Sequence, residues 1–233
     1  DAVRRFHDGD MSARSPYLSD NEFGVLSASI NTLADRVQEN AALDQNTVQL
    51  AQVMLSEDDA QKFFQATLSA LADNTGAHIA AVYLMSEDQD TFELFESIGA
   101  GEEARRTFRA DNFEGEFGAA LYTRKIHYIK NISGDTRFVF NTVNGRFIPR
   151  EIIAIPILFG SRVIALISLA NLGEFSPQAF KLIDAIYSTM SSRIQGVLAL
   201  RRIKEIQQKL QQQNRELDAQ QRELAAQTAE LTQ

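Results

Sequence analysis

The stretch EIIAIPILFGSRVIALISLAN, residues 151–171, decides the fold. It holds two strand-like runs, Glu151 to Phe159 and Arg162 to Ala170, joined by Gly160-Ser161. A two-residue connection containing glycine is the pattern of a tight antiparallel hairpin. Working back from it, Ile126 to Ile129 is a short strand and Gly115 to Arg124 a short helix. Further upstream, Ala77 to Met85 (AHIAAVYLM) and Thr91 to Ile98 (TFELFESI) are β-rich runs with SEDQD as the turn between them. Ser56-Glu57-Asp58-Asp59 caps a helix carrying Phe63, Leu68 and Leu71. The order is helix, two strands, a mixed connection, three strands, helix. That predicts an α+β fold, an antiparallel sheet with helices on one face.

The flanks of this unit are helical. Before it, Ser19-Asp20-Asn21-Glu22 supplies a cap and an acidic first turn, and Leu26, Ile30, Leu33 and Val37 follow at spacings of 4, 3 and 4. The stripe then rotates to Leu43, Leu50 and Met54. Such a seam serves a partner helix or packs on its own domain. After the hairpin, Ser176-Pro177 is an N-cap with proline at the first helical position. Ile183, Tyr187, Met190, Ile194 and Val197 repeat at 4-3-4-3, and the register then shifts to Leu200 and Ile203. From there Ile203, Leu210, Leu217, Leu224 and Leu231 recur every seven residues, which predicts a coiled coil. The layer three residues earlier is mostly polar (Leu200, Gln207, Asn214, Gln221, Thr228), and an amide such as Asn214 fixes a dimeric register at a cost in stability. Residues 1–55, 56–200 and 201–233 are read as three segments.

Composition narrows the function. The 233 residues carry 23 Lys plus Arg against 31 Asp plus Glu, a net charge of −8. That argues against nucleic-acid binding, which needs a basic face to displace counterions. Cysteine is absent, which excludes disulfides, zinc knuckles, a cysteine nucleophile and a thioether-linked pigment. No apolar run reaches the ~20 residues of a membrane span. The chain begins at Asp1 rather than Met and is expected to be a piece of a longer protein.

Catalytic motifs are weak. Gly99-Ala100-Gly101-Glu102-Glu103-Ala104 matches G-x-G-x-x-A after a strand, but its acidic residues would repel phosphate, so a strand-to-turn connection is expected instead. His7, His78 and His127 are the only imidazoles and have no second ligand at metal spacing. No G-x-S-x-G elbow or Walker-type loop occurs. The segment is therefore expected to be non-enzymatic and without metal or cofactor. One feature stands above this background. Phe113, Phe117, Tyr122, Phe138, Phe140 and Phe147 crowd the long connections, interleaved with Arg137, Asn144 and Arg146. They either complete the core or close a small-molecule pocket over the sheet. In the second case Arg137 or Arg146 would hold an anionic group.

Three resemblances accompany these readings. Gly9-Asp10-Met11, Asp20-Asn21-Glu22-Phe23-Gly24-Val25-Leu26 and Ser29-Ile30-Asn31-Thr32-Leu33 resemble the connector and second helix of a HAMP domain; the family usually has Asp where Asn21 stands. Residues 56 to about 200 resemble a GAF domain, on Gly115-Glu116-Phe117-Gly118, Thr123-Arg124-Lys125-Ile126-His127-Tyr128-Ile129 and the hairpin. Against the cyclic-nucleotide signature of that family, Asn171 and Phe175 fit, but Leu172, Ala179 and Phe180 replace its Lys, Asp and Glu. The Gln/Glu/Leu-rich tail resembles the signalling helix of sensor histidine kinases. Together they imply a GAF-type antiparallel sheet between long signalling helices, and a homodimer feeding a kinase domain further along the same parent chain. They place the segment on the cytoplasmic side of a bacterial inner membrane, attached to it only through an upstream segment.

Overall fold

The computed structural model describes residues 2–100, 106–111, 115–130, 132, 140–142 and 145–231. In chain order the elements are α1 (Ala2–His7), α2 (Glu22–Ser56), α3 (Ala60–Thr75), β1 (Ile79–Met85), β2 (Thr91–Ile98), β3 (Thr107–Arg109), α4 (Gly115–Thr123), β4 (His127–Lys130), β5 (Phe140–Thr142), β6 (Gly145–Phe147), β7 (Glu151–Phe159), β8 (Arg162–Asn171) and α5 (Pro177–Leu231).

The helices begin where the capping residues stand. Asn21 Oδ1 accepts from the Phe23 and Gly24 amides, Asp59 from Lys62, and Ser176 Oγ from Ala179. Gly76 ends α3 at φ 74°, and its N–H donates to Ala72 O. Gly160 has φ 60° at the first of the two residues between β7 and β8, as a II′ turn requires.

The main sheet is antiparallel, in the order β3-β2-β1-β8-β7-β4, with β5 and β6 forming a separate pair. Alternation along the central strands gives each face its own core. Ala80, Val82, Ile153, Ile155, Ile157, Ala165, Ile167 and Leu169 meet α2, α3 and α5, which contribute Leu50, Met54, Phe63, Phe64, Leu68, Ile183, Ile186, Met190, Ile194 and Val197. Ala81, Tyr83, Phe92, Ala154 and Leu166 face the other way, towards Ala120 and Leu121 of α4. Helices therefore flank both faces. α4 corrects the expectation of a single helical face, because its apolar residues are covered only by that second core. The strands β3, β5 and β6 were not expected; at three residues each they are too short to display a period.

The two long helices run parallel over their shared length. Lys181 Nζ of α5 lies 3.9 Å from Glu39 of α2, and Arg193 reaches Met54 at the end of α2. Upstream, residues 13–19 fold back along α2. The Ser15 amide donates to Asn31 Oδ1 (2.7 Å), Asn31 Nδ2 returns a bond to Ser15 O (3.0 Å), and Arg14 pairs with Asp35 (2.6 Å). A Cβ on Gly24 would stand 1.6 Å from Ser19 O, so only glycine fits beneath this strap. Among the described residues no helix is long and apolar enough to cross a membrane.

Candidate functional site

Two regions are candidates, the aromatic face of the sheet and the helical spine. On the first, Phe117 of α4 is half-buried, with its ring 5.5 Å from Tyr83 and 5.3 Å from Phe108. Phe108 stacks on Phe92 at 5.2 Å and meets Tyr83 edge-on at 5.1 Å. Offset and edge-to-face contacts of this kind pack one continuous apolar layer. Phe113, Arg137 and Phe138 lie outside the described residues. Phe140 pairs through the backbone with Phe147, and Asn141 with Arg146; the side chains of Phe140, Arg146 and Phe147 lie outside the described set. Tyr122, expected among these rings, is 74% exposed. His127 Nε2 is 2.6 Å from Thr123 Oγ1, and among the described residues no group of His, Asp and Glu is arranged to hold a metal.

At the hairpin end of the sheet an open groove of about 1210 Å³ runs between the β1–β2 turn, the β7–β8 turn and α5. Arg202 bridges it to Glu87 at 3.1 Å, and the Arg201 guanidinium sits 4.7 Å from the centre of the Phe95 ring.

Along the spine, Leu26 and Leu33 of α2 are exposed, and Ile30 and Val37 half-buried. In α5, Ile203, Leu210, Asn214 and Leu217 are exposed; Leu224 and Leu231 are helical, and their side chains lie outside the described set. Ile206, outside the seven-residue series, is exposed beside them.

Several polar anchors escaped the sequence reading. Asn171, which matches one letter of a nucleotide signature, is 6% exposed and structural: its Oδ1 accepts from the Gly173 amide, and Nδ2 donates to Gly76 O and Glu174 O. Asparagine two residues before glycine is a turn signal that could have revealed this. Glu151 is also buried; it accepts from the Phe175 amide at 2.6 Å and has Lys130 at 3.9 Å. Tyr128 donates its hydroxyl to Asp184 at 2.6 Å, tying β4 to the second turn of α5. Burial first, and then the Asp184 carboxylate, push the Tyr128 pKa well above its ordinary value. Arg193 fastens α5 to the end of α2 through Met54 O (2.7 Å), Glu57 O (2.8 Å) and Asp58 (2.5 Å). No spacing rule marks an arginine between Met190 and Ile194 as part-buried and bonded to another helix.

This curled antiparallel sheet with parallel flanking helices agrees with the sequence match: the GAF domain pattern covers residues 59–194, more than half of the chain. The chain belongs to the GAF domain family. Among solved structures it is similar to the GAF domain of an Acinetobacter phosphoenolpyruvate-protein phosphotransferase (20% identity, TM-score 0.56, 69% of this chain and 96% of that one). It is also similar to free methionine-R-sulfoxide reductase from Neisseria meningitidis, solved with its substrate (15%, TM-score 0.55, 69% and 92%). A third likeness is to residues 122 to 287 of a methyl-accepting chemotaxis protein (13%, TM-score 0.50, 65% and 98%). At these identities the GAF likeness is one of fold. No curated protein matches the sequence.

Proposed function

We propose that this chain is a sensory and relay segment of a bacterial membrane-bound two-component receptor. It works as a parallel homodimer and passes a change of helix register towards a histidine kinase domain further along the parent chain. The observation that carries this reading is α5: one helix of 55 residues starts inside the GAF core and continues into the seven-residue repeat, of which Ile203, Leu210 and Leu217 are exposed. The HAMP reading of residues 1–55 has support in Gly24 and Asn31, the residues that hold the strap on α2. The chemotaxis protein among the GAF neighbours supports a signalling context. The reductase among them supports only the shared fold. The segment is read as regulatory, on the cytoplasmic side of an inner membrane reached through an upstream segment.

In this reading the GAF unit takes a small ligand over the aromatic face, with Phe113, Phe117, Phe138, Phe140 and Phe147 around it and Arg137 or Arg146 on its anionic group. A second reading, a ligand-free spacer with transmission by the helices alone, is favoured by the mutual packing of Tyr83, Phe92, Phe108 and Phe117. Native mass spectrometry of the purified chain separates the two. A stoichiometric small molecule supports the sensor; an empty protein that binds nothing in a metabolite screen supports the spacer. Crosslinking of Leu210→Cys tests the parallel dimer, because no native thiol competes.

A further inference from the structure

We propose that Arg193 is the joint that fastens the end of α2 to α5, so that the helix entering the GAF domain and the helix leaving it move as one body. This deepens the relay reading and rests on it. The last carbonyls of a helix have no partner within the helix and lie at the negative end of its dipole. At the end of α2 the Ser56 hydroxyl takes Val53 O at 2.8 Å, and the next carbonyl is taken from α5 by Arg193. Arg193 Nε donates to Met54 O at 2.7 Å, and its terminal nitrogen donates to Glu57 O at 2.8 Å and Asp58 at 2.5 Å. The guanidinium also lies 5.8 Å from the Phe63 ring of α3. The Arg193 side chain is 19% exposed. Only a planar fork reaches three acceptors in this way; an ammonium does not.

Among the described residues, the other polar contact between α2 and α5 is Lys181–Glu39, at 3.9 Å and half exposed on both sides. A pair of that kind holds little. Arg193 also stands seven residues before Leu200, on the stripe that continues through Gln207 and Asn214. A turn of α2 at this joint is therefore delivered to the stripe that sets the register of the tail. Arg193 is a positioning residue, acting through the two helices it joins.

The test uses the whole chain with Leu33→Cys and Ile203→Cys, spin-labelled and diluted with unlabelled protein, so that pulsed EPR reads the distance across the joint. The expected result is one narrow distance in the parent and a broad distribution in Arg193→Gln. Amide exchange at residues 53–56 should quicken about tenfold or more in Arg193→Gln, with β1 and β8 unchanged. Arg193→Lys should fall between the two and carries the test if Arg193→Gln does not fold. Asp58→Ala should change little, since both carbonyl bonds remain. A narrow distance in Arg193→Gln, or exchange that rises equally in β1 and β8, overturns the joint. A monomeric tail with the joint intact would instead overturn the relay.

Discussion

Residues 178–197 and 200–231 of α5 carry apolar stripes of similar spacing and end in opposite environments. Ile183, Met190, Ile194 and Val197 are fully buried against the sheet and α2, whereas Ile203, Leu210 and Leu217 remain more than half exposed. The helix between them is continuous. Periodicity thus states that a stripe needs a cover and leaves open what the cover is. In the first half it is supplied by β1, β7, β8, α2 and α3 of the same chain; in the second, the described residues supply none.

The largest effect should come from a charge placed in the covered half. Ile194→Asp buries a carboxylate with no partner and should destabilise the domain by about 4 kcal/mol or more, read by chemical denaturation. If that variant unfolds at the parent's denaturant concentration, the two halves are not energetically distinct.

The reciprocal change sharpens the contrast. Leu210→Asp should leave the unfolding of the GAF domain within about 0.5 kcal/mol of the parent. It should weaken self-association about a hundredfold or more, because like charges would meet across the seam. Sedimentation velocity over a concentration series gives both the species and the midpoint. Asn214→Leu acts in the other direction. It should raise the melting temperature of the dimer, by about 1 kcal/mol or more in stability, while admitting other registers and oligomers. A single register after that substitution, in crosslinking from positions 210 and 217, would remove Asn214 from its assigned role.

The smallest effect concerns an anchor of the covered half. Tyr128→Phe loses the hydroxyl bond to Asp184 and should cost about 1 kcal/mol near neutral pH. The folded state raises the Tyr128 pKa, so the neutral phenol stabilises the fold below the ordinary tyrosine value of about 10 and that contribution is lost as pH rises beyond it. Parent stability should fall in alkali, and Tyr128→Phe should fall less steeply. Some fall should remain, since burial also raises the Tyr187 pKa. Identical alkaline curves would show that Asp184 does not hold β4 through this hydroxyl.

Much of the fold was legible because it is written in local patterns. The 151–171 hairpin, the caps at Asn21, Asp59 and Ser176, and the apolar stripes each depend on neighbours a few residues apart. The sites were less legible because they join distant positions. Arg193 and Met54 are 139 residues apart, and Tyr128 and Asp184 are 56. Nothing in the spacing of either pair announces the contact. Asn171 shows the converse. Its fit to a family signature drew attention to a nucleotide, while its geometry serves the turn that closes β8 onto α5.

The parallel course of α2 and α5 makes the sheet resemble a bead threaded beside a shaft rather than a link in series with it. About 120 residues of chain separate the end of α2 from the start of α5, yet in space the two helices overlap and head the same way. A rearrangement of genes could therefore exchange this bead for another that begins and ends on parallel helices with the same separation, leaving the shaft unaltered. What such an exchange must conserve is the heading and phase of two helices and the fastening between them. The strands, and whatever their outer face touches, are free to diverge.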